Sequence, residues 1–187
     1  MPGPYLELTA DEFLDRLAAP EPGPGGSAVA ALTLAYAAGL VTMVARRSRA
    51  SWDGAAGAAA QAQALRRRAA QLVDPSADVW AEALAALESK SPELEGKLRR
   101  SAELPLQIAE VGADVARLAA LVAERGDGTY RSDAASAAVL AEAAVRVAEK
   151  LVAVNLTTGR TDELRERAWA SAETARAAAA KALDSGP

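Results

Sequence analysis

The stretch Gly23–Ala45, GPGGSAVAALTLAYAAGLVTMVA, carries no charged residue in a chain that is 25% charged. It opens with a glycine turn and continues as an Ala-rich apolar run. A helix that is apolar on every side is normally buried on every side, so the fold must surround this segment. The run is long enough to span a bilayer. It is nevertheless built largely from Ala, Gly, Ser and Thr, a weakly hydrophobic mixture for a membrane span. A buried central helix, with no membrane partner, is the favoured expectation.

At 187 residues a single domain over 1–187 is the simplest reading. Hydrophobic residues make up 51% but aromatics only 4%, so the apolar content is mostly Ala, Leu and Val. Ala is the best helix former and strand formers are scarce. The expected class is all-α: long, tightly packed helices around the Ala-rich segment, in an elongated molecule. With no cysteine and no histidine, thiol chemistry, His-based zinc sites and Ser-His-Asp triads are excluded. No metal site is expected. Catalysis must use carboxylates, hydroxyls, Lys, Arg or backbone groups. A net charge of -4 argues against a nucleic-acid partner. The acidic N-terminus MPGPYLELTADEF lacks the basic region of a secretory signal, and a cytoplasmic location is expected.

Thr9-Ala-Asp-Glu12 reads as a capping box. The short helix behind it has Phe13, Leu14 and Leu17 as its apolar stripe. Prolines and glycines over 20–26 then break the chain. The central helix starts at Gly26 or Ser27 and runs to about Arg46. A third helix covers 55–73, with Leu65 and Leu72 inward and Arg66, Arg67 and Arg68 outward. A segment over 75–88 follows, with Asp74 as a possible N-cap and Val79, Trp80, Leu84 and Leu87 on one face. The next helix runs from Ser91-Pro92 to about Glu124, with Ile108, Val111, Val115, Leu118, Leu121 and Val122 inward. Pro105 is expected to kink or divide it. Gly126-Asp127-Gly128-Thr129 is a second glycine turn. Ser132 is expected to cap a helix from Asp133 to about Thr157, ended by Gly159. A last helix, capped by Thr161 or Asp162, runs to about Leu183.

Several residues have both a structural and a chemical reading. The Gly25-Gly26-Ser27 turn is either a tight helix start needing positive φ or a source of backbone N–H groups for an anion. Asp133, in the first turn of its helix, is either a dipole-stabilised cap or an acid/base group. Asn155 either satisfies a buried carbonyl or binds ligand. Asp133 and Asn155 share a helix face but lie roughly 33 Å apart at 1.5 Å per residue, so one copy of the helix cannot bring them together. Arg46, Arg47 and Arg49 suit a helix C-terminus, with an anion site as the sharper alternative. Trp80 fits a core stripe better than a ligand stack, and Trp52 a surface or dimer contact.

Taken in order, Phe13-Leu14, Pro22-Gly23-Pro24-Gly25-Gly26-Ser27, Ala30-Ala31-Leu32, Met43-Val44-Ala45, Ala109, Gly126-Asp127, Ser132-Asp133-Ala134 and Val154-Asn155-Leu156 resemble the cyclodeaminase/cyclohydrolase family. That family includes the cyclodeaminase domain of formiminotransferase-cyclodeaminase and bacterial methenyltetrahydrofolate cyclohydrolases. The resemblance implies long antiparallel helices, a homodimer, and a tetrahydrofolate groove near the subunit interface. It implies hydrolysis of 5,10-methenyltetrahydrofolate or ammonia release from 5-formiminotetrahydrofolate, the folate being substrate and no further cofactor needed. Gly25, Gly26, Ser27, Asp127 and Asn155 are the folate-binding candidates, and Asp133 and Asp78 the catalytic ones.

The chain departs from the family pattern at specific positions. Ser27 stands at a usual third glycine, and Ser76 at a usual carboxylate, flanked by Asp74 and Asp78. Asp127 and Thr129 replace asparagines, and Leu151 replaces another. These departures support an alternative: a homologue with impaired chemistry that serves as a small-ligand-binding or structural helical dimer.

Overall fold

The structure is a computed structural model, and it describes residues 4–21, 23–74, 85–89, 91–156 and 163–185. Expectations for Pro75, Ser76, Asp78, Val79, Trp80, Leu84, Gly159, Thr161 and Asp162 fall outside these residues. Among the described residues there is no strand. Among the described residues the architecture is carried by α1 (Ala10–Ala18), α2 (Gly26–Arg47), α3 (Ala55–Gln71), α4 (Leu94–Arg125), α5 (Arg131–Asn155) and α6 (Glu163–Asp184). The expected all-α class and elongated bundle hold.

Local signals act as the sequence dictates at several ends. Thr9 accepts from the Glu12 N–H while the Glu12 carboxylate accepts from the Thr9 N–H, completing the capping box of α1. That hydrogen bonding also holds the Glu12 carboxyl below its usual range. The α1 stripe is narrower than expected. Phe13 is buried, edge-on to Tyr5 with ring centroids 6.2 Å apart, but Leu14 and Leu17 are exposed. Of the three, only Phe13 joins the buried core. Leu87 and Leu121, also expected inward, are exposed as well.

The helices α3, α2, α5 and α6 lie side by side in that order, and α4 packs against all four. This follows from Ala-rich faces: Ala30, Ala31, Ala37 and Ala38 of α2 and Ala134, Ala137, Ala138 and Ala141 of α5 are all buried. Small side chains let backbones approach, and Gly112 of α4 marks the tightest crossing. A Cβ there would lie 2.4 Å from Val145 and 3.1 Å from Leu34. α5 runs antiparallel to both α2 and α4. The α4–α6 pair instead runs parallel, since Arg167 pairs with Glu110 at 2.6 Å and Lys181 with Glu124 at 2.7 Å.

Pro105 does not divide the chain into two helices: α4 is one helix of 32 residues with Pro105 buried inside it. Ser132 is not the N-cap of α5 either. The helix begins at Arg131, with Tyr130 as an N-cap that makes no side-chain capping bond.

The central helix is not enclosed on all sides. α2 is long and apolar enough to cross a membrane by length and composition, yet α3, α4 and α5 cover only part of it. Leu32, Leu40 and Met43 are half-buried, and Tyr36 is 63% exposed. Spaced three and four apart, these four form one open stripe. Val139, Leu140 and Val147 on neighbouring α5 are exposed too.

Candidate functional site

The predicted site residues fall at two ends of the bundle. At one end, Gly25 is the N-cap of α2, and no side chain caps that helix. No acidic residue occupies its first turn, so its positive end is uncompensated. Gly25 has φ -111°, extended backbone open to any residue, so positive φ is not why glycine stands there. A Cβ at Gly25 would meet nothing within 4 Å. At Gly26 it would make ordinary contact with Leu151 at 3.7 Å and Val147 at 3.9 Å. The fold within one protomer therefore demands neither glycine. Glycine suits the N-cap position of Gly25, and the open space over it leaves the backbone accessible.

Leu151 and Val147 also line a shallow surface groove of about 670 Å³ with Ala143, Arg146, Glu149 and Lys150. The groove is lined by α5 alone, and two of its residues, Leu151 and Val147, are the side chains that face Gly26. Asn155 closes the same helix, but it is buried and its amide is engaged: Nδ2 donates to the Ser101 carbonyl at 2.9 Å. Arg165 of α6 adds donors to the Ala153 and Leu156 carbonyls at that end, as suits a cation at a helix C-terminus.

The other end holds the second glycine turn. Fully buried Ser48, just past α2, organises it. Its Oγ donates to the Val44 carbonyl at 2.8 Å and accepts from the Asp127 N–H at 2.8 Å. A Cβ at Gly126 would lie 2.6 Å from the Val122 carbonyl oxygen and 2.9 Å from Ser48 Oγ, so glycine is sterically required here. The Asp127 carboxylate accepts from the Thr129 N–H at 2.9 Å. That bond caps the short turn Gly128–Tyr130 and holds the Asp127 carboxyl below its ordinary range.

Asp133 follows in the first turn of α5 and is half-exposed. Its carboxylate makes no bond to any described residue, so it is not the side-chain cap of its helix. Arg47 ties this end to α2, donating to Tyr130 Oη at 2.8 Å with its guanidinium 4.7 Å from the Tyr130 ring centre. A second groove of about 610 Å³ opens next to it, lined by Gly39, Thr42, Met43, Arg46, Arg47, Gln63 and Arg66. Sequence reasoning had missed Ser48, whose signal is only a hydroxyl just beyond a helix end. Trp52 is half-buried against the core with its ring across Gly54, so it is packing. Among the described residues no group of three His, Cys, Asp or Glu side chains stands close enough to hold a metal.

The two ends are separated by the length of α2, about 33 Å for 22 residues. One protomer does not bring Gly25–Ser27 to Asp127 and Asp133. Asp78, the remaining catalytic candidate, lies outside the described residues.

The sequence profile of the formiminotransferase-cyclodeaminase family matches residues 9–174, most of the chain. The chain belongs to this family. Among solved structures it is similar to formiminotetrahydrofolate cyclodeaminase from Thermotoga maritima, at a TM-score of 0.83 and 25% sequence identity. The likeness covers 96% of this chain and 94% of that one, so the two share their fold end to end. No curated protein matches the sequence. Membership of the family places the chain with folate one-carbon metabolism and with a folate-type small molecule as its ligand.

Proposed function

We propose that this family member releases ammonia from 5-formiminotetrahydrofolate, with hydrolysis of 5,10-methenyltetrahydrofolate as the related reaction of the same groove. The end-to-end likeness to a formiminotetrahydrofolate cyclodeaminase carries the reading. The folate is the substrate and no further cofactor is required. Ring closure with loss of ammonia needs a proton delivered to the departing nitrogen. Hydrolysis needs a proton taken from water. General acid/base help of this kind is worth about 10²–10⁴-fold. With no histidine in the chain, a carboxylate is the side chain best suited to the role. Asp133, half-exposed and unpaired among the described residues, is the residue we assign, and Asp78 stays a candidate from the resemblance. Gly25, Gly26 and Ser27 offer backbone donors to the ligand, while Asp127 shapes the facing turn.

The working unit is a homodimer. The open stripe of α2 centres on Tyr36, close to the midpoint of Gly26–Arg47. A two-fold axis there sets the Gly25–Ser27 turn of one protomer beside the Gly126–Asp133 turn of its partner. That arrangement reunites candidates that one protomer keeps about 33 Å apart, and it covers the apolar stripe. A cytoplasmic location follows from the substrate class.

One observation favours a second reading, a homologue with impaired chemistry. Leu151 presents an apolar side chain beside Gly26, where the family pattern has an asparagine. The test is direct. Purified protein is mixed with 5-formiminotetrahydrofolate, and ammonia and 5,10-methenyltetrahydrofolate are followed against the buffer rate. In parallel, the absorbance of added 5,10-methenyltetrahydrofolate is followed. Turnover above buffer in either arm supports the enzyme. Buffer rates in both arms, with saturable binding of folinic acid, support the impaired homologue. No binding removes the enzyme and the ligand-binding form of the second reading, and leaves the structural helical dimer.

A further inference from the structure

We infer that Ser48 is a positioning residue for the reaction: its buried hydroxyl fixes the turn that presents Asp133, so losing it slows turnover without weakening substrate binding. The inference rests on Asp133 as the carboxylate that moves the proton. The buried hydroxyls differ in what they bind. Thr42, Ser101 and Ser171 each donate to a carbonyl of their own helix. Such a local bond is enough to satisfy a buried hydroxyl. Ser48 makes one too, donating to the Val44 carbonyl, but it also accepts from the Asp127 N–H, 79 residues away. The second bond ties the end of α2 to the turn that leads into α5.

The acceptor is itself held in place. The Ser48 N–H donates to the Val44 and Ala45 carbonyls. Its carbonyl accepts from the Ser51 N–H at 3.1 Å and the Trp52 N–H at 3.0 Å. Gly126 lies so close that a Cβ there would stand 2.9 Å from Ser48 Oγ. From Asp127 the chain reaches Asp133 through bonded turns. The Asp127 carbonyl accepts from the Tyr130 N–H at 3.0 Å, and Arg131, the first residue of α5, donates from Nε to the Ala123 carbonyl at 3.3 Å. A displacement at Asp127 is therefore passed to the first turn of α5, where Asp133 stands. Misplacing a catalytic group by about 1 Å costs on the order of 10²-fold in rate.

The full-length parent, Ser48→Ala, Ser48→Thr and Gly112→Ala are compared in the ammonia-release and methenyl-hydrolysis assays, below the melting temperature of each. Ser48→Ala should lower kcat about tenfold or more with KM within about twofold of the parent, as when an interaction of the transition state alone is lost. Ser48→Thr, which keeps the hydroxyl, should recover kcat. Gly112→Ala loses stability about 21 Å along α4 from Gly126 and should keep the parental kcat, which separates position from stability. If Ser48→Ala does not fold, Gly126→Ala displaces the same turn from its other side and should show the same fall in kcat at nearly constant KM. The inference is overturned if Ser48→Ala turns over at the parental rate, if its loss lies in KM, if Ser48→Thr falls as far as Ser48→Ala, or if Gly112→Ala falls as far. A parent at the buffer rate in both assays overturns the proposed reaction itself, and the inference with it.

Discussion

Pro105 and Asn155 are complementary across the α4–α5 contact. Pro105 has no amide hydrogen, so the Ser101 carbonyl one turn earlier in α4 loses its helical donor. Asn155 Nδ2 supplies a replacement at 2.9 Å, in a buried setting. The pair explains how α4 passes through a buried proline as a single helix. Asn155→Ala should therefore cost about 1–3 kcal/mol, the price of an orphaned buried acceptor. In a Pro105→Ala background the same change should cost clearly less, because residue 105 then donates to Ser101 itself. Urea unfolding of the four proteins measures the coupling; strict additivity would contradict it.

Gly112 should resist even the smallest enlargement. A methyl group there meets Val145 at 2.4 Å and Leu34 at 3.1 Å, both fully buried. Gly112→Ala should lower stability by about 1–3 kcal/mol through overpacking, against its favourable helix propensity. Val145→Ala should recover part of that loss. A Gly112→Ala protein that melts at or above the parent temperature would rule out a tight crossing.

Ser48 should matter more than its size suggests. Ser48→Ala removes the acceptor for the Asp127 N–H and should cost about 1–3 kcal/mol. Amide hydrogen exchange at Asp127 and Thr129 should quicken more than exchange in α6. Uniform acceleration would mean the bond does not organise the turn.

Acid should destabilise the protein partly through the capping carboxylates. Glu12 and Asp127 both have lowered pKa values in the folded state, each mainly from a backbone N–H bond. Their contribution is present above the unfolded carboxylate pKa and is lost as pH falls through the lower folded value. Glu12 is exposed and Asp127 only half-buried, so the effect is small. Asp127→Asn, which keeps an acceptor but cannot titrate, should show a smaller drop in melting temperature between about pH 7 and about pH 3. A drop equal to that of the parent would exclude Asp127 as a contributor.

The open stripe of α2 should be an interface between copies. Light scattering at micromolar concentration should report a dimer, and Tyr36→Glu should shift it to monomer without lowering helix content. A monomeric parent protein would remove the dimer and the composite site with it.

Much of the architecture was legible in residue order. The capping box of Thr9 and Glu12, the start of α2 at Gly26 and the outward Arg66–Arg68 turn all follow from local chemistry, which depends on neighbours three or four residues away. Leu14, Leu17 and Leu121 were misplaced inward because periodicity marks an apolar face but not whether another helix reaches it. From sequence Pro105 is expected to kink or divide its helix, because Asn155, which replaces the lost donor to Ser101, lies 54 residues from Ser101.

The sequence by itself determined an all-α chain, a charge-free central helix and two glycine turns, since helix propensity, capping and chain breaks are short-range properties. Only the tertiary structure decided that those turns stand at opposite ends of α2, that Gly126 rather than Gly25 is sterically required, and that the central helix keeps one face open. Those outcomes depend on which helices approach and how closely, and small-residue packing sets that distance between segments far apart in the chain.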